Sequence, residues 1–122
     1  MAKILIVEDD PLIVKIYTTR LSADGHTVIS ADNGADGVTK ALESVPDVVL
    51  LDIMMPKLDG FGFMQAVRKD PKTAHIPLLV YSNLSNDDEI KRAKDSGATE
   101  FLMKTNLTPN QVVEKIKQYL PK

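Results

Sequence analysis

Five short apolar runs alternate with stretches of helical spacing along this 122-residue chain, and nothing in it constrains the fold more. Strands that alternate with helices through short connections pair in parallel, with the helices covering both faces of one sheet. The apolar runs predict strands at Lys3–Val7, Thr27–Ala31, Val48–Asp52, Ile76–Ser82 and Thr99–Met103. Helices are predicted at Pro11–Ala23 and Gly34–Ser44, then from Asp59 to Lys69, from Asn86 to Ser96 and from Pro109 to Leu120. The fold class is therefore α/β, a doubly wound five-stranded parallel sheet with five helices, and no linker or composition shift divides residues 1–122.

Local chemistry supports these boundaries. Asp10-Pro11 supplies an N-cap followed by proline at the first helical position, and Gly25 suits the stop of that helix. Asn86 with Glu89 three residues on reads as a capping box, and Gly97 ends the helix it opens. Thr108-Pro109-Asn110-Gln111 is a cap, a first-turn proline and a capping-box glutamine in a row. The buried stripes expected from helical spacing are Leu12, Ile13, Ile16, Tyr17 and Leu21, then Ala35, Val38, Ala41, Leu42 and Val45, then Phe63, Met64 and Val67.

Composition excludes several function classes. A formal charge of −2 with no basic run predicts no affinity for nucleic acid or membranes. With no cysteine there is neither thiolate chemistry nor a disulfide framework. No apolar stretch approaches the ~20 residues of a membrane-spanning helix, and no signal peptide is visible, so the expected location is cytoplasmic.

The residues that end the strands carry the chemistry. The first strand ends in Glu8-Asp9, the third in Asp52, the fourth in Ser82, and the fifth runs into Lys104. In open parallel sheets ligands bind outside the C-terminal strand edge, at the point where strand order reverses. In a sheet of order 2-1-3-4-5 that point lies between strands one and three, so Glu8, Asp9 and Asp52 converge there. Carboxylates so close repel unless a cation neutralises them, and hard oxygen ligands around an open cavity favour Mg2+, with Mn2+ an alternative. Phosphoryl transfer to a carboxylate fits: Asp52 attacks in line while the metal and Lys104 neutralise the transferring oxygens, and Ser82 donates to the acyl phosphate.

The acidic pair Glu8-Asp9, the motif Asp52-x-x-Met55-Pro56-x-x-Asp59-Gly60, Ser82 and Lys104 together closely resemble the receiver domain of bacterial two-component response regulators. The resemblance runs through essentially the whole chain and is nearest to single-domain, chemotaxis-type regulators. It implies that Asp52 is the phospho-acceptor and Asp9 a direct magnesium ligand. Glu8 would hold the ion through water, and the backbone carbonyl of Met54 would be a further ligand. Ser82 is then the switch hydroxyl, Lys104 the phosphate-binding cation and Phe101 the switch aromatic, a position often filled by tyrosine. Three positions depart from the pattern. Thr105 follows Lys104 where the family usually has proline, so a trans bond and a rebuilt loop are expected. Asn83 replaces a usual alanine, and Glu8 stands for aspartate.

The resemblance implies a stand-alone regulator that takes phosphate from a sensor histidine kinase or phosphotransfer protein. It would signal to a downstream protein through its helix 4–strand 5–helix 5 face, as a monomer or a phosphorylation-dependent dimer, and not as a conventional enzyme. Two alternatives differ in class: a receiver-like interaction module that works without phosphorylation, and a haloacid-dehalogenase-type phosphatase. The second needs an aspartate two residues after the nucleophile, where this chain has Met54. Other acidic and polar residues have plainer roles. Asp10 and Asp59 read as helix caps, His26 and His75 as solvated turn residues at the opposite edge, and the methionines as core filler. Gly60-Phe61-Gly62 lacks the third glycine of a dinucleotide fingerprint, and Asp87-Asp88-Glu89 lacks the spacing of a calcium loop.

Overall fold

A computed structural model describes residues 2–53, 60–82, 87–104 and 107–121. The expected cap at Asp59, the capping box opened by Asn86, the Met54 carbonyl, Asn83 and the Lys104-Thr105 junction lie wholly or partly outside the described residues. The elements run β1 (Lys3–Val7), α1 (Pro11–Ala23), β2 (Thr27–Ala31), α2 (Gly34–Ser44), β3 (Val48–Leu51), α3 (Gly60–Lys69), β4 (Leu78–Ser82), α4 (Asp87–Asp95), β5 (Glu100–Met103) and α5 (Pro109–Gln118). The sheet is parallel throughout, in the order β2-β1-β3-β4-β5.

Strand periodicity sorts the core into two layers, because successive side chains point to opposite faces. Leu5, Val7, Val49, Leu51, Leu78 and Val80 pack with residues of α2, α3 and α4 such as Ala41, Phe63, Met64 and Ala93. Ile4, Ile6, Val48, Leu50, Leu79, Tyr81 and Leu102 pack with Tyr17 and Leu21 of α1 and Val112, Val113 and Ile116 of α5. Each face of the sheet is thus covered, and its near-continuous apolar strands follow from that.

Several boundaries shift for identifiable reasons. The fourth strand begins at Leu78 rather than Ile76. Pro77 has no N–H for the ladder, although its carbonyl still accepts from the Val49 amide at 3.0 Å. Asp52 falls just past the end of β3, yet its amide still donates to the Val7 carbonyl at 2.9 Å, so the backbone there remains sheet-tied. Helix α5 stops at Gln118 with Tyr119 as its cap, short of Leu120. Asp10 caps α1 by accepting from the Leu12 amide, and Thr108 with Gln111 forms the full capping box of α5.

Three members of the expected apolar stripes face solvent. Leu12 is 64 % exposed and Val45 41 % exposed, and Ala35 is exposed as well. In α2 the buried residues are Gly34, Gly37 and Ala41, with Val38 packed half-buried against the same core. A Cβ on Gly37 would sit 3.1 Å from Phe63 and Val7, so the helix approaches the sheet where there is least side chain. His26 is not a free turn residue either: its Nδ1 accepts from the Ala2 amide at 3.2 Å, half-buried beside β2.

Val45 caps α2 with φ 45° and ψ 69°, a left-handed conformation that β-branched residues adopt only under strain. Its amide is satisfied by the Ala41 carbonyl at 2.9 Å, so the conformation itself is required to end the helix. Val45→Asn keeps the backbone and relieves the strain. The expected gain is about 1 kcal/mol, read as a higher urea midpoint at unchanged slope.

Candidate functional site

The C-terminal edge of the sheet gathers the predicted residues from the strands that carry them. Glu8 follows β1 directly, and its amide donates to the Ala31 carbonyl at 2.9 Å, which ties it to the end of β2. Asp52 follows β3, tied to β1 through Val7. Because β1 and β3 are neighbours, the two carboxylates meet. With Asp9 they offer oxygens that all lie within 4.8 Å of one another. Glu8 and Asp52 are buried, at 4 % and 6 % exposure, whereas Asp9 is open to solvent.

Two buried carboxylates need a counter-charge, and Lys104 supplies it. Its Nζ lies 3.1 Å from Glu8 Oε2 and 3.1 Å from Asp52 Oδ2. The backbone is placed by the Lys104 amide, which donates to the Ser82 carbonyl at 3.0 Å. Ser82 ends β4 and is 1 % exposed. The other Glu8 oxygen, Oε1, accepts from the Asp10 amide at 3.2 Å, which ties the Glu8 side chain to the residue that caps α1.

Burial raises the Glu8 carboxyl from its ordinary 4.5 to about 7, and the neighbouring Asp52 charge adds to this. Lys104 and the Asp10 amide pull the other way without cancelling it. The Lys104 ammonium is pushed upward: burial acts to lower it, but the charges of Asp52 and Glu8 together outweigh that. Among the described residues, three carboxylates thus face the one ammonium of Lys104, which leaves the cluster suited to further positive charge.

Chain geometry beside Asp52 is tight. A Cβ on Gly60 would fall 2.3 Å from Ile53 Cα, so only glycine lets α3 begin against the residue after Asp52. On the other side an open cleft runs from Glu8 and Asp9 along Val14, Lys15 and Thr18 of α1 to Asp32. It leads from solvent to the carboxylates.

Phe101 is half-buried in β5, in register with Val80, and packs against the core layer of α2, α3 and α4. Sequence reasoning missed two groups. Tyr81 lies beneath Lys104, whose Nζ is 5.3 Å from the ring centroid, and its hydroxyl pairs with that of Tyr17 at 3.1 Å. A tyrosine in the otherwise apolar run Leu78–Ser82 is the signal that was available, since a buried phenol needs a partner. Arg68 works at the far edge, donating to the carbonyls of Ala74, Ile76 and Gly97 and so joining the segments that lead into β4 and β5. Gly97 makes room for it, with φ at 113° and a would-be Cβ 2.8 Å from the arginine.

The donor chemistry suits a hard divalent cation. Three carboxylates, one of them solvent-facing, leave positions for water and phosphate oxygens, which is how magnesium is commonly held. Among the described residues, no helix is long and apolar enough to cross a membrane.

Comparison with known proteins agrees with this geometry. The family described as response regulator receiver domain matches residues 4–117. Protein PilH of Pseudomonas aeruginosa is 40 % identical over 104 residues, covering 85 % of this chain and 86 % of that protein. The DNA-binding transcriptional regulator RpaA of Synechocystis is 38 % identical over 104 residues, 85 % of this chain but only 43 % of its own length. The crystallised chemotaxis protein CheY4 of Vibrio cholerae superposes with a TM-score of 0.90 at 29 % identity, over 98 % of this chain and 99 % of that one. A parallel sheet of this order with acids at the switch point and a lysine across from them defines a signalling receiver rather than a typical enzyme. The chain belongs to the response regulator receiver domain family of two-component systems.

The raised Glu8 carboxyl sets a pH dependence for the metal-free protein. Glu8 ionises near 4.5 when unfolded and near 7 when folded, so the folded state holds the extra proton between those values. Its stabilising contribution is complete below the unfolded value and is lost as pH rises through the folded one. In chelator, urea unfolding is expected to show a loss of roughly 2–3 kcal/mol between pH 5 and 8. Glu8→Gln flattens that slope; an equally steep slope in the variant would assign it to another group.

Proposed function

We propose that this protein accepts a phosphoryl group on Asp52 from a sensor histidine kinase or a phosphotransfer protein, in a Mg2+-dependent reaction. The observation that carries the reading is the meeting of Glu8, Asp9 and Asp52 oxygens within 4.8 Å of one another under the Lys104 ammonium. An Asp52 oxygen attacks phosphorus in line and the bond to the donor's imidazole nitrogen breaks. The electron pair leaves with the imidazole, which needs no strong acid to depart. Asp9 and Asp52 would hold a magnesium ion directly, with Glu8 acting through water and the Met54 backbone carbonyl as the further protein ligand, and the ion would neutralise charge on the transferring oxygens.

Lys104 then exchanges partners. In the resting state it neutralises Glu8 and Asp52, and once the phosphoryl group is on Asp52 it pairs with a phosphoryl oxygen. Ser82 donates its hydroxyl to another, and its movement opens space into which Phe101 turns. The altered surface around α4, β5 and α5 is read by a downstream protein, in the cytoplasm, through direct contact. Family membership and similarity to PilH and CheY4 support this reading over a module that acts without phosphorylation. The dehalogenase-type alternative has no second aspartate available at Met54.

Incubation with a small phosphodonor and magnesium is expected to add one phosphate, measured by intact mass, and Asp52→Asn to abolish it. Added mass that survives in the variant would sink the assignment. Because Lys104 occupies the carboxylates that the metal needs, Lys104→Met should bind magnesium more tightly while accepting phosphate more slowly. Calorimetric titration checks the first effect. An affinity gain of about tenfold corresponds to removing a competing partly buried ion pair.

A further inference from the structure

Lys104 directly follows β5, but the carboxylates it meets follow β3 and β1, so its side chain must pass over the end of β4. Strands lie ~4.8 Å apart, so β3 is about 10 Å from β5, and a lysine bridges most of that gap only when nearly extended. The residue beneath its path is Tyr81. Its ring centroid is 5.3 Å from Nζ, within the range over which an aromatic face attracts an ammonium.

The ring is itself held. Tyr17 of α1 meets it edge-on, with centroids 5.7 Å apart and planes at 86°, and the two hydroxyls are 3.1 Å from each other. Both residues are buried, Tyr17 at 1 % and Tyr81 at 7 % exposure. The neighbouring positions of β4 are filled by Leu78, Leu79 and Val80. A leucine at 81 would fill this layer without burying a phenol. Two phenols paired here incur a desolvation cost that packing alone does not require.

We propose that Tyr81 is the positioning residue for Lys104, its ring face seating the ammonium while Tyr17 fixes the ring. The inference rests on the reading that Lys104 neutralises the transferring phosphoryl group. In the resting state Glu8 and Asp52 hold the ammonium, but a divalent cation bound to the same carboxylates weakens that attraction. The ring face is unaffected by the cation. It keeps Lys104 over the site in the interval between metal binding and the appearance of phosphoryl charge, when a free lysine side chain would swing into water.

The test compares Tyr81→Leu and Tyr81→Met, which fill the volume without a ring face, with Tyr81→Phe, which keeps the face and loses the hydroxyl. NMR of the full chain reads the Lys104 side-chain methylene protons. They are expected upfield in wild type and in Tyr81→Phe, from the ring current, and back at ordinary positions in the other two. With saturating magnesium and a small phosphodonor, the phosphorylation rate should fall about fivefold in Tyr81→Leu and Tyr81→Met, with Tyr81→Phe near wild type. Magnesium affinity should stay within about twofold throughout, since the ring touches no ligand. Wild-type Lys104 protons without an upfield shift overturn the proposal, whether or not the variants fold. So does a Tyr81→Phe as slow as Tyr81→Leu, which would assign the effect to the hydroxyl pair. Failure of wild type to take up phosphate at all would instead overturn the functional reading, while the NMR comparison still decides where Lys104 sits.

Discussion

One ammonium between two buried carboxylates holds the functional edge of this protein together. Lys104 joins the ends of β5, β3 and β1 through Asp52 and Glu8, and it is what sets positive charge between two acids at 6 % and 4 % exposure. Removing one partner from such a buried arrangement is costly because the others are left uncompensated. The acids cannot be spared either, since they are what a metal and a phosphoryl group would engage. The site is thus held in this form by the contact that the proposed phosphorylation would rearrange.

The sheet makes that contact possible. Its strand order sets β1 beside β3, which brings Glu8 and Asp52 together through backbone pairing alone, and leaves β5 two strands from β3. A long flexible cation is the side chain suited to crossing the gap, and its flexibility calls for a seat on the way. Tyr81, braced by Tyr17, occupies that place. The close approach of Gly60 to Ile53 steadies the chain just after Asp52. At the opposite edge Arg68 binds the segments that enter β4 and β5, so the strands carrying Ser82 and Lys104 are held at both ends.

Helix α4 stands apart from this rigid frame. Ala93 is its one buried residue, and Arg92 lies over the Phe61 ring at 3.9 Å as its side-chain tie to α3. A helix with so little buried apolar surface belongs to the low-stability end of a fold, where conformational responses are cheap. The helix thus lies beside a core whose other elements are more firmly packed, on the face through which the proposed signal would pass.

Much of this was legible in the sequence. Apolar runs and caps set the alternation of elements, because strand burial and helix termini are governed by local periodicity and by residues such as Asp10, Thr108 and Gln111. Acids, hydroxyl and lysine at strand ends marked the site for the same reason: where a strand stops is a local property. Burial on helix faces was less local, and Leu12, Ala35 and Val45 proved exposed because α1 and α2 press the sheet through other residues, in α2 through glycine and alanine. The start of β4 moved because Pro77 breaks the ladder. Only the tertiary structure decided which charges compensate which, that Lys104 bridges Glu8 and Asp52, and that Tyr17 and Tyr81 pair beneath it. Those partners are separated by 52 to 96 positions along the chain and meet only once the order of strands in the sheet is settled.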